Sequence, residues 1–449
     1  QARAIKQNID VGSRWGASEY LLFSKMDVFE NLLDYDFEVN GTNLADAADW
    51  EADPELRQGL REVIDYAHQQ GLGLIFHTNE FHIDEDIEGV VGEVEAGSET
   101  LWDITEKKLN EFFALYPEVD GLQLTGDETT YNIQSTEQAV RLGRIASEAA
   151  GDRKIILRLW DRIGEIGTPS EEDFAAMSGD EDNVWLSFKN TGNDFGWSTD
   201  TGFNNEMIGQ GRADRQYIEF DAWREYGGNN VFPFYYGDLW AERVPEIADR
   251  GVDNVGVRLM WNSGYWPTVE RKWGNWVNVY VLTGLAQNPE ADPDDLLRDY
   301  VERYFPDGSH DAAFDIYKYS QDFMSSLLYA TDQGEVVDHG RIPWEEEIGQ
   351  AGDMGNEYFE QFDRALVEML RRIEKLPDEV AFKEDLRQGA WQAASLAKGA
   401  NMVNAATASM RFKYGWLYSD TKSWVQLRGH LIPNNDPGPG ECEEIPLSS

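Results

Sequence analysis

From the start of the chain to about residue 262, short apolar runs alternate with longer stretches of helical period. Seven runs read as strands: Tyr20–Phe23, Leu72–Phe76, Gly121–Leu124, Ile155–Leu159, Val184–Phe188, Tyr217–Phe220 and Val255–Leu259. Each is short, partly β-branched or aromatic, and bounded by polar or glycine positions, as buried strands are. Between them lie amphipathic helices. Over 54–70, Leu56, Leu60, Val63, Ile64 and Ala67 share one face and Gly71 ends the helix. Over 101–116, Leu109, Phe112 and Phe113 form the apolar stripe and Pro117 is the stop. The segment from Ala2 to Val11 reads as a helix feeding the first strand.

Strands alternating with helices predict a parallel α/β sheet, and the number of repeats predicts a (β/α)8 TIM barrel. A closed barrel takes eight strands, and seven are read here. The first strand of the barrel is therefore expected upstream of Gln1. The run Val231–Tyr236 is the other candidate, but Pro233 argues against a central strand, so an irregular loop lining the barrel mouth is expected there. Beyond residue 266 the pattern turns helical. Asp292-Pro293 caps a helix carrying Leu296, Leu297, Tyr300, Val301, Tyr304 and Phe305. Another runs over 358–376 with Phe362, Ala365, Leu366, Met369, Leu370 and Ile373 inward, and 379–418 is a third helical stretch rich in Ala and Gly. The expected organisation is a catalytic barrel over 1–265, an α-helical domain over 266–430 and an extended Pro/Gly-rich tail over 431–449.

Charge changes the picture next. The chain has 38 Lys and Arg against 84 Asp and Glu, a net charge of −46. Such a charge repels itself in dilute buffer, whereas at ~1 M salt the Debye length falls to ~3 Å and screens most of that repulsion. A protein adapted to molar salt is expected. No basic stripe is present to displace counterions, so nucleic acid is not an expected partner. An anionic membrane would repel the chain, and no apolar run has the length of a transmembrane helix. The single cysteine, Cys442, excludes an intrachain disulfide.

Three carboxylates stand just past predicted strands: Glu128, Asp194 and Glu225. In a barrel of this kind the C-terminal strand ends form the active-site mouth, and carboxylates gathered there suit acid/base chemistry on a sugar. Almost one residue in five is acidic, so one such position alone says little; an N-cap acid is the ordinary alternative for Glu128. Asp127 beside Glu128 is a neighbour that would raise its pKa. Lys189, Asn190 and Asp194 share one loop. Glu219, flanked by Ile218 and Phe220, is expected to point into the barrel, with Arg158 as the candidate partner a buried carboxylate needs. Trp160, Trp197, Trp223, Trp240, Trp261 and Trp266 fall near predicted mouth loops, where indole faces suit sugar faces. His77, Glu80 and His82 cluster after the second strand but lack the spacing of a metal motif. Neither a metal nor a cofactor is expected.

These residues resemble the glycoside hydrolase family 67 α-glucuronidases. That family carries a Lys-Asn-Gly-Pro-x-Asp-Phe loop, matched here by Lys189-Asn190-Thr191-Gly192-Asn193-Asp194-Phe195 with Thr191-Gly192 in place of Gly-Pro. Its next strand resembles Glu219-Phe220 followed by Glu225-Tyr226, its acidic fourth-strand end resembles Gly126-Asp127-Glu128, and its fifth strand resembles Leu157-Arg158-Leu159-Trp160. The resemblance spans roughly residues 1–305; the family's N-terminal domain has no counterpart. It implies that Glu128 is the general acid, that Asp194 and Glu225 activate water, and that Lys189, Arg158, Asn190, Asp127, Trp160 and Glu219 contact or border the substrate. The implied reaction is inverting release of α-linked glucuronic acid, or a related uronic acid, from xylo-oligosaccharides or another acidic glycan. Two other readings stand beside it: a β-hexosaminidase-like glycosidase, and a non-catalytic carbohydrate-binding or structural protein on a degenerate barrel. The expected partner is an oligosaccharide, and a homodimer through the helical domain is the expected assembly.

Overall fold

The computed structural model describes residues 2–24, 26–92, 94–95, 97–126, 131–159, 182–190, 207–222, 232–258, 276–328, 356–380, 382–391 and 393–394. The chain divides into two compact units. One comprises Gln1–Phe220, Leu239–Ser263 and Leu282–Ala291, and the other Asp221–Asp238, Gly264–Val281 and Asp292–Ser449.

The first unit begins with helix α1 (Ala2–Trp15), strand β1 (Glu19–Phe23) and helix α2 (Met26–Glu30). A small hairpin follows, β2 (Glu38–Val39) and β3 (Thr42–Asn43), turning at Asn40-Gly41, where both residues have positive φ. Next come α3 (Leu44–Ala48), α4 (Pro54–Gln69), β4 (Gly73–Asn79), α5 (Glu85–Val91), α6 (Glu99–Leu115), β5 (Gly121–Thr125), α7 (Thr136–Ala150) and β6 (Lys154–Leu159). The unit continues with β7 (Val184–Lys189), β8 (Gln216–Asp221), α8 (Gly237–Asp249) and β9 (Val255–Arg258). Local chemistry sets the helix starts. Asp53 accepts from the Glu55 and Leu56 amides ahead of Pro54, Ser98 caps α6, and Ser135 caps α7.

Seven strands form one sheet in the order β1-β4-β5-β6-β7-β8-β9, so every strand lies beside its neighbour in the α/β succession. The pairs from β1 to β8 are all parallel. One face is apolar and helix-covered: Leu74, Phe76, Leu122, Leu124, Ile155, Leu157, Leu186, Phe188 and Ile218 are buried, and Phe76 meets Phe112 of α6 at 5.5 Å.

The opposite face is concave. Gln123 on β5 reaches Glu219 on β8 at 3.0 Å, and Lys154 on β6 reaches Glu19 on β1 at 2.5 Å. Each pair is three strand steps apart, about 14 Å on a flat sheet. Side chains stand roughly perpendicular to a flat sheet, so such contacts require the sheet to curl toward this face. Trp15 at the end of α1 accepts through its carbonyl from the Gln287 side chain at 2.9 Å. Gln287 ends helix α9 (Trp276–Gln287). The helix after the last strand thus meets the helix before the first. The architecture is a mixed α/β fold around a curled, seven-stranded sheet.

The described residues of the second unit are mostly helical. α10 (Pro293–Tyr304) starts at Asp292, whose carboxylate accepts from the Asp294 amide at 2.8 Å. Its Leu297, Tyr300 and Val301 are buried, and Tyr300 sits among Tyr280, Tyr304, Phe305 and Tyr317. α11 (His310–Leu328) and α12 (Asn356–Ile373) pack together; Asp315 holds Arg372 and Lys375, and Ala365, Leu366, Met369 and Ile373 are buried. Of the third helical stretch, 383–391 is helical. The segment 232–236 is irregular, as Pro233 led one to expect. Phe232, Phe234, Tyr235 and Tyr236 are buried in this unit, the Tyr235 amide donates to Ser320 Oγ, and Asn278 clamps the Phe234 carbonyl and Tyr236 amide. Among the described residues, no helix is long and apolar enough to cross a membrane.

Candidate active site

The concave face changes character along the strands. Ile75 and Ile156 lie on it toward the N-terminal ends, whereas His77, Gln123, Thr125, Arg158, Ser187, Lys189 and Glu219 occupy it toward the C-terminal ends. Strand register aligns them: His77 opposite Gln123, Thr125 opposite Arg158, Arg158 opposite Ser187 and Lys189 opposite Glu219. All seven are buried. A polar layer shielded from water must satisfy itself or serve a ligand.

Glu219 is the hub. Its carboxylate accepts from Arg158 Nε at 3.0 and 2.9 Å, from Ser187 Oγ at 2.6 Å and from Gln123 Nε2 at 3.0 Å. Burial alone would push this carboxyl up, but the Arg158 charge, the Ser187 hydroxyl and Lys189 outweigh it and hold it below the usual glutamate value. Glu219 is therefore an ionised structural anion. The sequence-based expectation that Arg158 partners Glu219 agrees with this geometry.

Lys189 ends β7, and Asn190 follows it. The Asn190 amide donates to the Glu219 carbonyl at 3.0 Å, and its own carbonyl accepts from Arg243 of α8 at 2.8 Å. The Asn190 side chain is only 5% exposed, yet its Nδ2 has no hydrogen-bond partner among the described residues. A buried amide donor without an acceptor is costly, and a sugar hydroxyl would satisfy it.

His77 stacks on Phe23 at 3.8 Å, and Arg158 lies over the Phe23 ring at 6.0 Å. Its Nδ1 is 3.0 Å from the Ser24 carbonyl and so must carry the proton; Nε2, 2.9 Å from Thr125 Oγ1, then accepts. Burial, aided by the Arg158 charge, drives the His77 pKa down to about 3, so the ring is neutral at working pH. His77 and Glu80 do not share a centre: Glu80 turns instead to Lys108. Lys108 Nζ donates to Glu30 at 2.5 Å, Glu80 at 3.1 Å and the His82 carbonyl at 2.7 Å, and all three ionisable side chains are fully buried. Burial and the Glu80 charge, against the pull of Lys108, push Glu30 up to about 8. Among the described residues no group of three potential ligands could hold a metal ion.

Glu128, Asp127, Asp194, Glu225 and Trp160 lie outside the described residues, as do Trp197, Trp223, Trp261 and Trp266. The residues flanking Asp127 and Glu128 are held firmly. Ile133 donates its amide to the Gly126 carbonyl at 2.8 Å, and Tyr131 donates to the Phe81 carbonyl and to Glu88. A Cβ on Gly126 would lie 2.2 Å from Ile133 Cδ1, so a larger residue here would force Ile133 to move. Trp240 is 3% exposed and packs edge-on against Phe220.

Sequence reasoning passed over Gln123, Thr125, Ser187 and Arg243. The available signal was a polar residue at an inward position of an otherwise apolar strand, as in Gly121-Leu122-Gln123-Leu124-Thr125.

No family model matches the chain, and no curated protein matches it. Solved structures do. The chain is similar to a GH138 enzyme targeting pectin rhamnogalacturonan II, with a TM-score of 0.60 at 12% identity over 94% of this chain and 69% of that one. It is also similar to CpGH84B, with a TM-score of 0.51 at 13% identity over 96% of this chain and 71% of that one. At such identity the likeness establishes a shared fold.

Proposed function

We propose that the chain is a glycoside hydrolase that releases an α-linked glucuronic or related uronic acid, with inversion, from xylo-oligosaccharides or another acidic glycan. The observation that carries the reading is the buried polar layer in which Arg158 and Lys189 stand at the C-terminal ends of β6 and β7 around Glu219. The fold shared with a GH138 enzyme supports a glycosidase. Glu128 comes two residues after Gly126, Asp194 four after Asn190 and Glu225 three after Ala222, so each candidate carboxylate follows closely on a strand of this layer.

In this reading Arg158 and Lys189 bind the uronate carboxylate, and the Asn190 amide donates to a sugar hydroxyl. Trp160 and Asp127 border the sugar. Glu128 gives its proton to the departing glycosidic oxygen. Asp194 and Glu225 take a proton from the water that attacks the anomeric carbon from the opposite face. Inversion requires ~6.5–9.5 Å between acid and base to admit that water. Molar salt would screen the acidic surface from an anionic substrate.

A second reading, a β-hexosaminidase-like glycosidase, is favoured by the Gly126-Asp127-Glu128 sequence, in which Asp127 would orient an acetamido group. Assays in molar KCl separate the two. Uronic acid released from aldouronic acids with inverted anomeric configuration supports the first. Cleavage of N-acetylhexosaminides, abolished by Asp127→Asn, replaces it with the second. Sugar binding without turnover of either substrate indicates a non-catalytic protein.

A further inference from the structure

We infer that Gln123, Ser187 and Glu219 form an anchor that holds the Arg158 guanidinium in one orientation, and that this anchor sets the affinity of the site for a carboxylate-bearing sugar. The inference deepens the uronate reading and rests on it. Gln123 and Ser187 act as positioning residues: they are 1% and 0% exposed and work through Glu219.

A guanidinium on a long side chain has several rotatable bonds, and ordering it on binding costs affinity. Here the ordering is done in advance. Arg158 Nε sits between the two Glu219 oxygens, which aims that edge of the guanidinium at the carboxylate. The carboxylate cannot swing in turn, because Glu219 Oε1 also accepts from Ser187 on β7 and Gln123 on β5. Three strands of a rigid sheet thus grip one carboxylate, and Phe23 underlies the guanidinium. Both the charge pairing and the donors are needed. Glu219 alone could rotate and carry Arg158 with it, whereas the hydrogen bonds of Ser187 and Gln123 hold that carboxylate in place.

The test is calorimetric titration of the whole chain in molar KCl with D-glucuronate and with its neutral methyl ester. Ser187→Ala and Gln123→Leu each remove one donor, and their melting temperatures establish that they fold. Ser187→Thr keeps the hydroxyl. The inference predicts that each single loss weakens glucuronate binding about tenfold, leaves ester binding unchanged, and is restored in Ser187→Thr. Three results overturn it: no glucuronate binding by the unaltered chain, unchanged affinity in both folded variants, or equal losses for acid and ester. Hydrolysis of an aldouronic acid is measured in parallel. Variant-sensitive glucuronate binding without hydrolysis defeats the hydrolase reading and supports the anchor, so the two failures are distinguishable.

Discussion

Arg158 and Glu219, two strands apart on the curled sheet, form a buried ion pair in which one nitrogen, Nε, donates to both carboxylate oxygens. The two side chains are 3% and 11% exposed, so little water can replace either partner. Breaking a buried pair by removing one member costs about 3–5 kcal/mol. Glu219→Gln is expected to destabilise the first unit by that order, measured by chemical denaturation in molar KCl. The sign with pH follows from the lowered carboxyl: its stabilisation is present above the unfolded glutamate value of about 4.5 and is lost as pH falls through the lower folded value. Glu219→Gln therefore has its full effect at pH 7 and a smaller one in acid.

The buried triad has the opposite sign. Glu30 is raised to about 8 in the fold, so between about 4.5 and 8 the folded state binds a proton that the unfolded state has released. Its contribution to stability falls as pH rises through that window and levels off above it. Glu30→Gln, which keeps the shape without the titration, is expected to raise the melting temperature at pH 8 and to have little effect near pH 4.5. Melting curves across that range check it; a variant less stable than the unaltered chain at pH 8 contradicts it.

Gly126 precedes the segment that carries Asp127 and Glu128, and Ile133 closes over it. Gly126→Ala is expected to cost about 1–3 kcal/mol by overpacking and to reduce turnover, because the start of the acid-bearing segment shifts. Ile133→Val removes the methyl that a new Cβ would strike first but leaves the γ-carbon at 2.7 Å, so the double variant is expected to recover only part of both losses. Denaturation and rate measurements on the single and double variants provide the check.

Much of this fold was legible in the chain. The seven strand runs stand where the sheet has them, because strands covered by helices on one side must be apolar there and are punctuated by capping residues such as Asp53, Ser98 and Ser135. The polar layer was legible in its charged members and not in its neutral ones. β4 continues past Phe76 through His77-Thr78-Asn79, which reads as a loop only because polar residues in a strand normally face water. Gln123 and Ser187 were hidden for the same reason: curling of the sheet, a tertiary event, turns their side toward Glu219. Arg158 and Glu219 were found as a pair because charge within an apolar strand demands a partner, whereas an amide or hydroxyl does not announce one.

The net charge of −46 bears on stability as a whole. Self-repulsion weakens the compact state most where screening is least. Thermal unfolding is expected to shift upward from dilute buffer to molar KCl, and a chain more stable without salt would show that the acidic surface serves another purpose.

In the proposed function this polar layer serves hydrolysis of a uronoside with Glu128 as the acid. The most direct measurement is release of uronic acid from aldouronic acids in molar KCl by the unaltered chain and by Glu128→Gln. Release by the first and a loss of at least about a hundredfold in the second are expected. No release by the unaltered chain, or equal release by the two proteins, would contradict it.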